Sequence, residues 1–319
     1  MSEKAKVYLK RFIKLILFLA VIYFAGRQLS KNWNAAVEYS WNLNFTYLSI
    51  SFILHMITLI LFSRGWCTVL EALGHRIGWI QGFKISYLAN LGRYIPGKFW
   101  QIFGMIYLLR QVNVGKKTAF ASWALSWMYG LPPAFLLSGI AAFFYRDLLS
   151  GLLGGFFDKY IYIVGFLILV IVMSIVFLFV PDYSIKFLNF VLKILRREKV
   201  DFQFKKVMAL RVFALYFISW IIYGAAFYFL IKGLDPTAEV PFMVGLGAFV
   251  LAYVVGLLAL FSPGGLGVRE LILNLLLSPF FGPVVAGIVI AARIWSLVAE
   301  IASAGIALLI HLKRKGEIA

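Results

Sequence analysis

Six ionisable residues fall inside stretches that are otherwise apolar enough to lie at membrane depth: Arg93, Lys98, Arg269, Glu270, Arg293 and Glu300. Placing one such charge at the centre of a spanning helix costs roughly 2.5–3.5 kcal/mol, so residues of this kind are functional candidates. Arg93 and Lys98 flank Pro96-Gly97, and Arg269-Glu270 follows Pro263-Gly264-Gly265-Leu266-Gly267. Arg293 and Glu300 stand seven apart, which puts them on one helical face two turns from each other. Guanidinium forks beside freed backbone N–H groups suit a phosphate. Arg93, Pro96, Gly97, Lys98, Pro263, Gly264, Gly265, Gly267, Arg269, Glu270, Arg293 and Glu300 therefore read as a site for an anionic headgroup. Glu270, Glu300 or both would balance part of the charge by pairing with Arg269 or Arg293. The competing reading makes the pairs structural and lets Arg93 and Lys98 snorkel to an interface.

His55, midway along an apolar run, reads as a packed, hydrogen-bonded histidine or as a proton relay. Trp33, Trp41, Trp79 and Trp100 fall near segment ends and read as interfacial anchors, whereas Trp123 and Trp127, four apart, read as packing. No Cys/His/carboxylate set has metal-ligand spacing, and there is no Gly-x-Ser-x-Gly elbow, Walker loop or dinucleotide glycine loop. No cofactor is implied. The single cysteine, Cys67, excludes an internal disulfide.

The elements that carry these residues must live in lipid. A chain of 319 residues that is 63% hydrophobic and 14% charged has more apolar surface than one soluble core can hide. Residues 12–29, 46–62, 119–144, 160–180, 212–231 and 284–310 each supply a run of spanning length. The basic stretch before residue 12 also fits a secretory signal, but Gly26-Arg27-Gln28-Leu29-Ser30 offers no small-x-small site, so the first run reads as a retained helix.

The two Pro-Gly regions do not fit simple crossings. Residues 99–109 reach only about half of a ~30 Å hydrocarbon core and are flanked by basic loops on both sides, so 79–109 reads as a re-entrant hairpin from the cytoplasm. Residues 268–281 are likewise short and closed by Pro279 and Pro283, so 240–281 reads as a second hairpin from the other side. Charge sets the orientation. Residues 1–14, 64–84, 110–117, 182–211 and 311–319 hold 22 Lys/Arg against 6 Asp/Glu, and the opposite loops, 27–45, 146–159 and 232–239, hold 5 against 5. This is the positive-inside pattern, with both termini cytoplasmic; the net charge of +18 belongs to topology and anionic lipid, not to nucleic acid.

Span, span, hairpin, span then occurs twice, from opposite starting sides. An all-α membrane fold of about six spans and two re-entrant hairpins follows, an inverted repeat with halves 1–150 and 151–319 in a single membrane domain. At an offset of 167 residues, Pro96-Gly97 matches Pro263-Gly264, Leu108-Leu109 matches Leu275-Leu276, and Gly115 matches Gly282. Inverted repeats with broken helices recur in secondary transporters. A mere Pro-Gly kink is the plainer alternative. The linker 182–211 carries an apolar-basic stretch, 185–195, suited to a surface helix in the cytoplasmic interface.

The run Ser262-Pro263-Gly264-Gly265-Leu266-Gly267-Val268-Arg269-Glu270 resembles the signature of the flippase-like membrane region of lysylphosphatidylglycerol synthases, a family that includes stand-alone membrane proteins. Leu91-Gly92-Arg93-Tyr94-Ile95-Pro96-Gly97-Lys98 is similar to the family's earlier motif. The resemblance covers essentially the whole chain. It implies a lipid-translocating or polyprenyl-phosphate-linked role centred on the glycine-rich motif with Arg269 and Glu270. Because the sequence ends at Ala319, no soluble aminoacyl-transferring domain is expected. The leading expectation is a flippase for an anionic phospholipid or polyprenyl-phosphate-linked lipid in the cell membrane. The alternatives are a membrane-embedded transferase with Glu270 or Glu300 as base, and an accessory subunit of a glycosyltransferase or lipid-modifying enzyme.

Overall fold

The structure is a computed structural model that describes residues 33–94, 100–144, 160–194, 198–259 and 262–316, with Tyr23, Gly26, Arg27 and Ser30. The expected first span, 12–29, lies outside the described residues save for those single positions. Among the described residues every regular element is helical. Helix α1 (Trp33–Glu38) precedes α2 (Phe45–Ala72), whose N-terminus is capped by the Asn44 side chain accepting from the Tyr47 amide at 3.1 Å. This helix outruns the apolar window 46–62 because Ser63 and Arg64 end the hydropathy signal without ending the helix.

Then come α3 (Trp79–Asn90), a 3₁₀ turn (Leu91–Tyr94), α4 (Trp100–Arg110) and α5 (Lys116–Phe144). Helices α6 (Tyr160–Phe179) and α7 (Asp182–Ile194) lead to α8 (Lys206–Leu234) and α9 (Phe242–Leu258). A second 3₁₀ turn (Pro263–Gly265), α10 (Val268–Phe281), a third turn (Gly282–Val284) and α11 (Val285–Gly316) complete the order. Helices α2, α5 and α8 are each long and apolar enough to cross a bilayer, as is the run Val268–Ile310; α6 with α7 would make a fifth if counted together.

The run Val268–Ile310 is not one rod. A straight helix would hold residues 269 and 296 about 40 Å apart at 1.5 Å per residue, yet Arg269 donates to Ser296 at 3.1 Å. The chain turns back at Gly282–Val284, so α10 and α11 lie side by side. Pro279 does not end α10, contrary to its expected role as a stop; the helix runs on to Phe281. The proline removes the amide that would have bonded the Leu275 carbonyl, and the Ser278 hydroxyl donates to that carbonyl instead, at 3.2 Å. Two prolines, Pro132 and Pro133, also sit inside α5, and the Trp220 indole donates to the nearby Gly130 carbonyl at 2.8 Å.

Helices α2 and α8 form the main seam. At the N-terminus of α2 the Asn44 amide donates to the Gly233 carbonyl at 2.8 Å, Ser51 donates to the Ala226 carbonyl at 2.7 Å, and Gly65 faces the Tyr216 ring, so the pair runs antiparallel. A Cβ at Gly233 would stand 2.9 Å from the Leu48 amide nitrogen, so the absence of a side chain permits the approach. Helices α3 and α4 pack on each other as a hairpin, with Gln101 donating to Asn90 at 2.5 Å near its tip. Helices α9 and α10 form a second hairpin. The first limb of each leans on the other end of the chain: α3 packs on α11, and α9 packs on α5.

Helix α7 leaves α6 at 107°. Its Ile185, Leu188 and Leu192 join a core with Val69, Leu125 and Tyr129, while Tyr183, Phe187, Phe190 and Ile194 form an exposed stripe. The following loop is tied back by Asn189, which bonds both the amide and the carbonyl of Val200 at 2.8 Å.

Candidate functional site

The two hairpin tips touch: the Leu91–Tyr94 turn packs against the Pro263–Gly265 turn. The second turn has a backbone only its sequence allows. Gly264, Gly265 and Gly267 adopt φ of 58°, 73° and 82°, the left-handed region where a Cβ is strained. At Gly265 a Cβ would also stand 3.1 Å from the Gly256 carbonyl, so the tip lies backbone against backbone on α9. The motif thus turns the chain within a short space and opens α10 with Arg269 and Glu270 in its first turn.

Glu270 then does two jobs. One carboxylate oxygen accepts from the Gly267 amide at 2.7 Å, capping α10, and the other meets Arg293 Nη1 at 3.4 Å. Arg293, Ser296 and Glu300 recur at i, i+3 and i+7 along α11 and receive three partners in order. Arg293 takes Glu270, Ser296 takes Arg269, and Glu300 takes Arg93 of the other hairpin at 2.7 Å. This ladder spans about 10 Å of helix. All of it is sheltered from solvent: Arg269 is 7% exposed, and the Arg93 and Glu300 side chains are 18% and 11% exposed.

Arg269 is treated differently from its neighbours. Among the described residues no carboxylate lies within ion-pair distance of it. Its guanidinium instead lies over the rings of Phe249 and Tyr253, 4.7 and 4.9 Å from their centroids, beside the Ser296 hydroxyl. Cation–π contact offsets part of the desolvation cost but neutralises no charge. Among the described residues the cluster therefore holds three guanidiniums against two carboxylates, with the surplus on Arg269.

The expected pairing of Glu270 with Arg293 is present. The expected pairing of Glu300 with Arg269 or Arg293 is not; Arg93 reaches Glu300 first because α3 packs on α11. Arg93 also donates to the Tyr253 hydroxyl at 3.2 Å, so it points into the cluster rather than snorkelling away. Pro96, Gly97 and Lys98 lie outside the described residues, as does the Pro263 side chain. Among the described residues of the expected headgroup site, Arg93 is paired with Glu300 and Arg293 with Glu270. A small cavity, about 10 Å³, lies elsewhere, lined by residues that include Tyr39, Trp41 and Asp235; it is water-sized at most.

Other expectations need correction. His55 is fully buried and packed between Trp295 and Tyr223, with ring centroids at 4.0 and 4.9 Å, but neither ring nitrogen has a hydrogen-bond partner among the described residues. The Trp41 indole donates to the Ala36 carbonyl at 2.9 Å and its ring packs against Gly287. Trp79 and Trp100 open α3 and α4, at the base and near the tip of the first hairpin, and both are exposed. Trp33 sits half-exposed, and Trp123 and Trp127 pack edge to face.

The sequence reading missed Tyr253, Phe249 and Ser296. Phe249 and Tyr253 are four apart on the limb that precedes the break, so one helical face presents both rings to whatever follows the turn. Ser296 lies between Arg293 and Glu300 on the same face.

A helical bundle with several apolar helices of spanning length and a buried arginine cluster defines a multi-pass membrane protein. The family model of the lysylphosphatidylglycerol synthase TM region matches residues 11–303, and the chain belongs to that family. A search of the curated proteins finds no match.

Proposed function

We propose that this protein moves an anionic phospholipid or polyprenyl-phosphate-linked lipid across the cell membrane, its headgroup held between the two hairpin tips. The observation that carries the reading is Arg269: a buried guanidinium with no carboxylate partner among the described residues, at the contact of two glycine-lined turns. A phosphate would supply the missing charge there. The Arg93–Glu300 and Arg293–Glu270 pairs hold the empty site together, and a headgroup would compete for Arg93 and Arg293. In this reading both termini are cytoplasmic.

The finer architecture belongs to the same proposal. The hairpins are re-entrant, because α3 and α4, at 12 and 11 residues, reach only about half of a ~30 Å core. The halves 1–150 and 151–319 are an inverted repeat in one membrane domain. Reciprocal packing supports this: if α2, the α3–α4 hairpin and α5 correspond to α8, the α9–α10 hairpin and α11, then α3 on α11 mirrors α9 on α5. The antiparallel α2–α8 pair and the contact between tips then lie on the pseudo-twofold. The linker helix α7 rests in the cytoplasmic interface with Tyr183, Phe187, Phe190 and Ile194 toward lipid.

The transferase alternative loses ground because both candidate bases, Glu270 and Glu300, are occupied by arginines. The test is reconstitution in vesicles carrying fluorescent phosphatidylglycerol or a labelled polyprenyl phosphate. Stimulated movement of at least one between leaflets is expected, with loss in R269Q. Vesicles with wild-type protein that move neither faster than empty ones refute the reading.

A further inference from the structure

Helix α2 presents a buried polar seam, Ser51, His55 and Thr58, at i, i+4 and i+7, each with no exposed surface. Two of the three are satisfied: Ser51 donates to the Ala226 carbonyl at 2.7 Å and Thr58 to the Leu54 carbonyl at 2.9 Å. His55 is the exception. Its ring lies between two aromatic faces, with Nδ1 and Nε2 both without partners among the described residues. A histidine kept only for packing would be expected to satisfy at least one nitrogen, since an unmade buried hydrogen bond costs about 1–3 kcal/mol.

The ring is one side chain away from the anion site. Trp295, stacked on His55, meets Phe249 at 5.7 Å, and Phe249 carries the Arg269 guanidinium at 4.7 Å. Trp295 also adjoins Ser296, to which Arg269 donates. Every element against α2 contributes to this setting. Helix α8 brings Tyr223; α11 brings Arg293 and Glu300, two residues before and five after Trp295; and the charges of Arg269 and Arg93 reach the ring from α10 and the first tip. Glu270, engaged with Arg293, adds the second negative charge from α10. Helix α3 brings Tyr87, whose hydroxyl donates to the Leu59 carbonyl at 2.6 Å, and α5 keeps its Tyr129 at Phe177 and Ser184.

We propose that His55 is a proton-binding site coupled to the anion site at Arg269 and Arg93, so that the lipid anion and a proton bind together. The inference rests on the headgroup reading above. An anion that neutralises a guanidinium removes positive charge from the surroundings of the ring, so anion and proton favour each other, and by linkage each raises the other's affinity equally. Anion plus proton is a neutral addition to the cluster, which lowers the cost of carrying the headgroup through a low-dielectric path. The proton comes from water onto one imidazole nitrogen and leaves by the same bond, with no other reactant.

The test uses the full chain in detergent and short-chain phosphatidylglycerol. Its phosphodiester keeps one charge between about pH 5.5 and 8, whereas a phosphomonoester titrates near 6. The expected result is proton uptake on lipid addition in weak buffer and binding roughly fivefold or more tighter at the acid end. In H55F both effects vanish while binding at the alkaline end persists; H55Q serves if H55F does not fold, and the wild-type proton uptake needs no variant. Binding with no uptake and a flat pH profile, still abolished by R269Q, overturns the role of His55 and leaves the anion site standing. No binding by wild type at any pH overturns both. Inorganic sulfate, whose charge is fixed over this pH range, is the parallel arm: uptake with it but not with the lipid keeps the coupling and overturns the headgroup as ligand.

Discussion

Arg93 donates to the Tyr253 hydroxyl at 3.2 Å while Arg269 lies over the ring of the same tyrosine, 4.9 Å from its centroid. One side chain therefore touches the arginines of both hairpins. Y253F keeps the ring under Arg269 and loses only the bond to Arg93, so lipid movement is expected to fall a few-fold. Y253A loses both contacts and is expected to fall tenfold or more, about 1.4 kcal/mol. Equal effects of the two in the vesicle assay would contradict this division.

Breaking the Arg93–Glu300 pair from one side leaves a buried charge. E300Q and R93Q should each destabilise by about 3 kcal/mol. The double variant should be more stable than either single one, because no uncompensated charge remains. Thermal unfolding in detergent checks the order; a double variant that loses the sum of the two would show that the pair is not coupled.

Gly265 combines positive φ with a close backbone neighbour, and Gly305 has neither. G265A should cost about 1–3 kcal/mol and impair lipid movement, while G305A should be neutral or slightly stabilising. Melting temperatures of the two variants provide the comparison.

At the far end of the fold, Tyr39 donates a short hydrogen bond to Asp235, which also accepts from the Thr237 amide and hydroxyl at 2.9 and 2.6 Å. Burial works to raise the Asp235 carboxyl, but the bonds from Thr237 and Tyr39 outweigh it and hold it below its ordinary value of 3.8. The same bond raises the Tyr39 phenol. A depressed carboxyl contributes stability that is complete above its unfolded value and lost as pH falls through its folded one. The contact should thus be intact from pH 5 to 8 and release only below about pH 4. Fluorescence of Trp41, packed beside it, should report that step in wild type and lose it in D235N; a transition near neutrality would refute it.

Much of the bundle was legible because its signals are local. The apolar runs within α2, α5, α6, α8 and α11 are long, and Pro-Gly steps interrupt helices by steric rule wherever they occur. Glu270 as a cap was not read, although it stands three residues after Gly267. The partners were not legible. Arg93 finds Glu300 across 207 residues, a pairing that no spacing encodes, and it appears only once α3 lies on α11. Tyr253 and Phe249 are two aromatics in a chain with 18% of them, so type alone did not mark them. The packing of Trp41 on Gly287 was not legible either, because a tryptophan near a segment end serves equally as an anchor or as a wedge.

The α2–α8 seam sets what can move. Prising it apart would break the Ser51–Ala226 bond, uncover Gly65 and Gly233, and strip the buried faces of two long helices at once. Among the described residues the two hairpins meet through the packing of their turns and the Arg93–Tyr253 hydrogen bond. In the proposed transport cycle the seam is thus the fulcrum and the hairpins are the levers. A cross-link along α2–α8 should leave transport running, whereas one between the tips should stall it.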